Sequence, residues 1–155
     1  MRDFAYIGRD KPSKGLKYLI GIFNQLDIPE IKLHVFSDFT ALDTPNIIYH
    51  GWVPSEDIWA FKFSYVILPM LAPETYCFSL HDAIARERGI IVNGHNESLC
   101  SQISSNAFQY YNDEELKSTL YSLSRESVNV KVPQVKKRET LWQRLSDKNV
   151  SNIAV

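Results

Sequence analysis

Short apolar runs alternate with polar turn clusters and divide the chain into strand–helix units. Phe4 to Ile7 is an apolar run stopped by Gly8, the mark of a buried strand. Leu16, Leu19, Ile20, Phe23 and Leu26 follow at helical spacing and build one apolar face. Ser13 is the expected N-cap of that helix and Pro29 its stop. Ile31, Leu33 and Val35 alternate with Lys32, His34 and Phe36, which predicts a strand. Asn46 to Tyr49 predicts another, halted by His50-Gly51. Ser55 is then expected to cap a short helix, with Glu56 and Asp57 at the positive end of its dipole.

Tyr65 to Leu68 is apolar without alternation, as in a strand buried on both faces. A helix is predicted from Phe78 to Arg88, closed by Gly89 in the left-handed position after its cap. Ile90 to Val92 is a short buried strand, Asn93 to Asn96 a turn, and Ala107 to Tyr111 the last strand. Asn112-Asp113 cap a helix carrying Leu116, Leu120 and Leu123. Ser127 to Pro133 reads as a linker, followed by a helix around Leu141, Trp142 and Leu145. Regular strand–helix alternation with short connections predicts an α/β class: a Rossmann-like, doubly wound parallel sheet of about six strands with helices on both faces. Residues 1–130 form the expected domain, and 131–155 a linker with a basic, amphipathic helix.

Composition narrows the function classes. The 155 residues suit one domain, and 17 basic against 18 acidic side chains leave a net charge of −1. No global positive field marks a nucleic-acid partner. Cys77 and Cys100 are too few for a disulfide scaffold, so a reduced, cytoplasmic setting is expected. No apolar run approaches the roughly 18 residues of a membrane span. Lys131 to Lys148 holds six basic and two acidic residues, net +4. That stretch suits either a solvated helix face or peripheral attachment to anionic lipid.

Two loops carry the candidate chemistry. Gly8-Arg9-Asp10-Lys11-Pro12-Ser13-Lys14-Gly15 places two cations between a strand and a helix start, where backbone N–H groups attract phosphate. The glycine pattern is neither a P-loop nor a dinucleotide fingerprint. The second loop, Pro73 to Ala83, holds Glu74 before a helix and Asp82 within it, with the amides of Tyr76 to Ser79 between. Each loop alone reads equally as solvated charge or helix capping. Both follow parallel strands, so both lie on one edge of the sheet, where α/β ligands bind. Positive charge on one side and carboxylates with amides on the other suit a nucleotide diphosphate carrying a sugar. Ser79, His81 and Asp82 are too close on one helix to converge as a triad. The four histidines have no metal-ligand spacing with the cysteines, so no metal site is expected. Trp52, Trp59 and Trp142 read as core or interface residues.

These motifs resemble the C-terminal, donor-binding half of a GT-B glycosyltransferase of the group 1, family 4 retaining type. Gly8-Arg9 and Lys14-Gly15 match that group's Gly-Arg, four residues, Lys-Gly pattern. Glu74 and Asp82 match its paired acids with seven residues between them, and Glu74-Thr75-Tyr76-Cys77 is close to a Glu-Thr-Phe-Cys variant. The resemblance spans residues 4 to 125. It implies that Arg9 and Lys14 neutralise the leaving diphosphate without a metal or other cofactor, and that Glu74 contacts the donor sugar. Amides around Tyr76, Cys77, Phe78 and Ser79 would hold sugar and phosphate, Asp82 the ribose, and His50, Gly51 and Val53 the surroundings of the base. Asp82 stands where the group has Glu, and His81 where it has Leu. The implied function is donor binding for sugar transfer to a glycan or lipid-linked acceptor, as in polysaccharide assembly, with an N-terminal acceptor-binding domain as partner. A sugar-nucleotide epimerase half and a non-catalytic nucleotide-binding or interaction module are the alternatives.

Overall fold

The computed structural model describes residues 2–74, 76–103, 106–126 and 129–136. Its strands are β1 (Phe4–Ile7), β2 (Leu33–Phe36), β3 (Ile47–Tyr49), β4 (Tyr65–Leu68), β5 (Gly89–Asn93) and β6 (Phe108–Tyr110). The helices are α1 (Leu16–Asn24), α2 (Ser55–Ile58), α3 (Phe78–Ala85), α4 (Glu97–Cys100) and α5 (Asp113–Arg125). All strand pairs are parallel, and the six strands run in the order β3-β2-β1-β4-β5-β6. The order reverses between β1 and β4, so their carboxyl ends flank the crevice where such sheets take ligands.

Side-chain alternation along each strand splits the core into two layers. Phe4, Tyr6, Leu33, Val35, Tyr65 and Ile67 face one way and pack on α1 and α5 through Leu19, Phe23, Leu116 and Leu120. Ala5, Phe36, Val66, Leu68, Ile90 and Val92 face the other way and pack on α2, α3 and α4 through Ile58, Leu80, Ala83 and Leu99. The doubly wound Rossmann-like expectation holds, with β1 and β4 bounded as the apolar runs predict.

Four local expectations fail for physical reasons. Ser13 does not cap α1. Pro12–Lys14 forms a 3-10 turn, and Gly15, at φ 80°, turns the chain into the helix. A Cβ on Gly15 would lie 2.5 Å from the Pro69 carbonyl oxygen, so the glycine lets the β1–α1 loop touch the start of the β4–α3 loop. Ser55 is the first residue of α2, behind an uncapping Pro54. Glu87 at φ 58° takes the left-handed role expected of Gly89. Gly89 instead begins β5, with its absent Cβ 2.4 Å from the Tyr65 ring. Finally, α4 lies inside the stretch read as turn and connection. Asn96 caps it by accepting the Leu99 N–H at 3.1 Å.

Residues 129–136 lie against the domain. Val135 bridges antiparallel to Ile103, and the Lys136 N–H donates to the Gln102 carbonyl at 3.0 Å. The expected helix around Leu141, Trp142 and Leu145 lies outside the described residues.

Candidate functional site

The β1–α1 and β4–α3 loops meet at the crevice. The Ser13 carbonyl accepts N–H bonds from Leu71 at 2.9 Å and Ala72 at 3.5 Å. Above that junction Lys14 Nζ donates to Glu74 Oε1, forming an ion pair between the two loops, with side chains 28% and 16% exposed. The cation expected to meet the diphosphate and the carboxylate expected to meet the donor sugar are therefore adjacent. Tyr6 donates its hydroxyl to the Arg9 carbonyl at 2.8 Å and fixes the loop from below. Burial pushes the Tyr6 hydroxyl well above its usual range, so it stays a donor. Arg9 is exposed, and its guanidinium makes no hydrogen bond or salt bridge among the described residues.

The Glu74 loop is held by residues that sequence patterning does not single out. Ser98 Oγ and Gln102 Nε2 each donate to the Glu74 carbonyl at 2.8 Å. Asn96 Nδ2 donates to the Met70 carbonyl at 3.1 Å and the Ala72 carbonyl at 3.0 Å. All three residues sit on α4 or next to it. Their signal was the Asn-x-x-Leu cap at Asn96 to Leu99, which locates a helix but says nothing of what it braces.

The start of α3 divides its roles. Ser79 Oγ donates to the Ile7 carbonyl at 2.9 Å and anchors the helix to the end of β1. That hydroxyl is thereby committed to the fold. Cys77 is buried, and burial raises its thiol above the ordinary value. It packs rather than reacts. Tyr76 stacks on His81, ring centroids 4.0 Å apart, and meets Phe78 edge-on at 4.9 Å. Tyr76 and Phe78 thus form an exposed aromatic rim beside Glu74. Asp82 is exposed one turn further along α3, and its carboxylate has no partner among the described residues.

A second recess opens on the other side of β1. It measures about 410 Å³ and is lined by Ile7, Gly8, Arg9, Phe36, Ser37, Asp38, Trp52, Val53, Ser55 and Ile58. Gly8, Arg9 and Val53 were expected near a donor. Phe36, Asp38 and Trp52 were not, because three separate loops bring them together. Gly51, at φ 72°, makes the turn that presents Trp52 and Val53. His50 points into the fold. Its Nε2 lies 2.9 Å from His34 Nδ1, and His34 Nε2 lies 2.9 Å from Asp3 Oδ2. Its ring stacks on Phe36 at 4.6 Å. Burial first, and the neighbouring His34 second, lower the His50 pKa. The sequence expectation put His50 beside the base; the structure gives it a supporting position behind the recess wall. Among the described residues no cluster of His, Cys, Asp or Glu is arranged to hold a metal ion, and no helix is long and apolar enough to cross a membrane.

No protein-family model matches the chain, and no curated protein matches it in sequence. Solved structures do match in shape. HepE from Anabaena, in complex with UDP and glucose, gives a TM-score of 0.66 at 14% identity, over 81% of this chain and 39% of HepE. The C-terminal domain of LpcC, a group 1 family glycosyl transferase from Francisella tularensis, gives 0.62 at 17% identity, over 81% of this chain and 76% of that one. The chain has the fold of one half of a GT-B glycosyltransferase. The GtfA/B complex adds a TM-score of 0.65 at 12% identity, over 84% of this chain and 30% of that one. The chain thus spans about two fifths of HepE, 39% of its length. In this fold, the Lys14–Glu74 pair and the recess beside Arg9 lie on the same carboxyl edge of the sheet.

Proposed function

We propose that this chain is the donor-binding half of a retaining, family 4 type glycosyltransferase, moving a sugar from a nucleotide diphosphate sugar to a glycan or lipid-linked acceptor. The observation that carries the reading is the meeting of Lys14 with Glu74, beside an Arg9 that is unpaired among the described residues, at the β1/β4 reversal of strand order. Diphosphate would displace Glu74 from Lys14 and recruit Arg9, a bidentate phosphate ligand. Glu74 would then accept hydrogen bonds from sugar hydroxyls. Charge that develops on the departing diphosphate would be stabilised by these two cations and the first amides of α3, without a metal. Asp82 is the proposed ribose partner. HepE, whose fold this chain shares, carries UDP-glucose, which supports the donor class.

An acceptor-binding domain would complete the enzyme, since the chain matches only 39% of HepE. A cytoplasmic site of action in polysaccharide assembly, with the basic 131–155 segment at the membrane surface, belongs to the same proposal. Calorimetric titration with nucleoside diphosphates in the presence of a chelator tests it. Arg9→Ala and Lys14→Ala should each weaken binding about 10- to 100-fold, the loss of one or two charge-assisted hydrogen bonds. Binding that survives both changes would refute the donor-site reading and favour an interaction module.

A further inference from the structure

The recess next to Arg9 has a charge pattern of its own. Its walls are apolar, from Ile7, Phe36, Val53 and Ile58, and the exposed Trp52 ring stands at its side. A flat heterocycle suits such walls, because stacking on an aromatic ring is favourable for any base. Among the described lining residues Asp38 supplies the single carboxylate. Its orientation is set locally. Oδ1 accepts the Asp10 N–H at 2.8 Å and the Ser37 hydroxyl at 3.1 Å. Those bonds, the Asp10 one foremost, hold its pKa below the usual carboxylate value, so it is ionised at neutral pH. Oδ2 accepts no hydrogen bond among the described residues, and the Arg9 charge on the same recess adds a smaller electrostatic pull. A carboxylate offers about four acceptor positions, and two remain here.

We propose that Asp38 selects the base of the donor, and that the base is guanine. This rests on the donor-site reading above. Guanine alone among the common bases presents two adjacent N–H donors, N1–H and the N2 amino group, to one acceptor. Uracil offers one N–H flanked by two carbonyl oxygens that would face the carboxylate charge. Adenine and cytosine each place a lone pair beside their amino group. A fixed, ionised acceptor on the recess wall therefore favours guanine and opposes uracil. The outcome would differ from HepE, which holds UDP.

The full chain would be titrated with GDP, UDP, ADP, CDP and xanthosine diphosphate, as wild type and as Asp38→Asn. Wild type should bind GDP at least tenfold more tightly than UDP. In the variant, the Asp10 N–H keeps the amide oxygen on its side, and Nδ2 takes the place of Oδ2. The amino group of guanine then meets a donor, while the C2 carbonyl of xanthine meets a partner. Asp38→Asn should therefore lose the GDP preference and gain tenfold or more for xanthosine diphosphate, a gain that loss of folding cannot mimic. UDP binding as tightly as GDP, or a variant with an unchanged GDP-to-xanthosine ratio, would overturn the proposal while leaving the donor site standing. Failure of every nucleotide to bind wild type would overturn both.

Discussion

The two sides of β1 differ in how they hold charge. On the β4 side, Lys14 and Glu74 neutralise each other across two loops. On the β2 side, Arg9 lines an open recess with Asp38, whose carboxylate is held first by backbone and hydroxyl and only in smaller part by the Arg9 charge. On the first side a ligand must displace an existing ion pair. The second is set beforehand. A ligand spanning both would exchange an existing ion pair on one side and fill preformed space on the other. Affinity for the diphosphate should therefore depend on what Glu74 does, whereas discrimination among bases should not.

The largest expected effect comes from breaking the junction beneath that ion pair. Gly15→Ala forces an alanine into the left-handed region at φ 80° and sets its Cβ 2.5 Å from the Pro69 carbonyl oxygen. Backbone strain of about 1–2 kcal/mol adds to a displacement of the opposing loop. Together they amount to about 3 kcal/mol, or a drop in Tm of about 10 °C for a chain of this size. Thermal melting measures that loss. Diphosphate binding should weaken too, because Lys14 and Glu74 are carried by the loops that separate. A variant that melts like wild type would show that the loops do not depend on this contact.

A smaller effect distinguishes the roles within the pair. Glu74→Gln removes the competitor for Lys14. The pair is partly exposed, so its strength is about 0.2–1 kcal/mol. A nucleoside diphosphate should then bind up to about fivefold more tightly, while the corresponding nucleotide sugar loses a charged hydrogen-bond acceptor and gains less or weakens. Calorimetry with the two ligands side by side gives the ratio. Equal changes for both would mean that Glu74 does not face the sugar.

The sequence pattern carries one side of this comparison better than the other. Arg9, Lys14 and Glu74 lie in loops that follow apolar runs, and parallel strands bring such loops to one edge, so local spacing suffices. Asp38, Phe36 and Trp52 come together only because β3 pairs parallel beside β2 and Gly51 turns the chain there. No periodicity within Ser37 to Trp52 encodes that. His34 shows the same limit within a strand. Alternation marked it as an outward residue, yet it is 8% exposed, since Asp3 and His50 satisfy both of its ring nitrogens. Glu87 and Gly89 show that a glycine near a helix end can be needed for packing. Here Tyr65 leaves no room for a Cβ.

The smallest effect tests the recess wall through pH. His50 carries a lowered pKa, owing first to burial and then to His34, so the folded protein holds this imidazole neutral at a pH where the unfolded chain begins to protonate it. The unfolded state then binds more protons, and stability rises with pH across that range. The contribution is fully present above about pH 6.5, the unfolded value, and falls as pH drops below it. Melting temperatures measured from pH 8 to pH 5 should decline below 6.5, and His50→Phe should flatten the decline while stacking in the same place on Phe36. Because Phe36 lines the recess, the same titration should weaken nucleotide binding at low pH. A pH profile of binding that His50→Phe leaves unchanged would separate the wall from the histidine chain behind it.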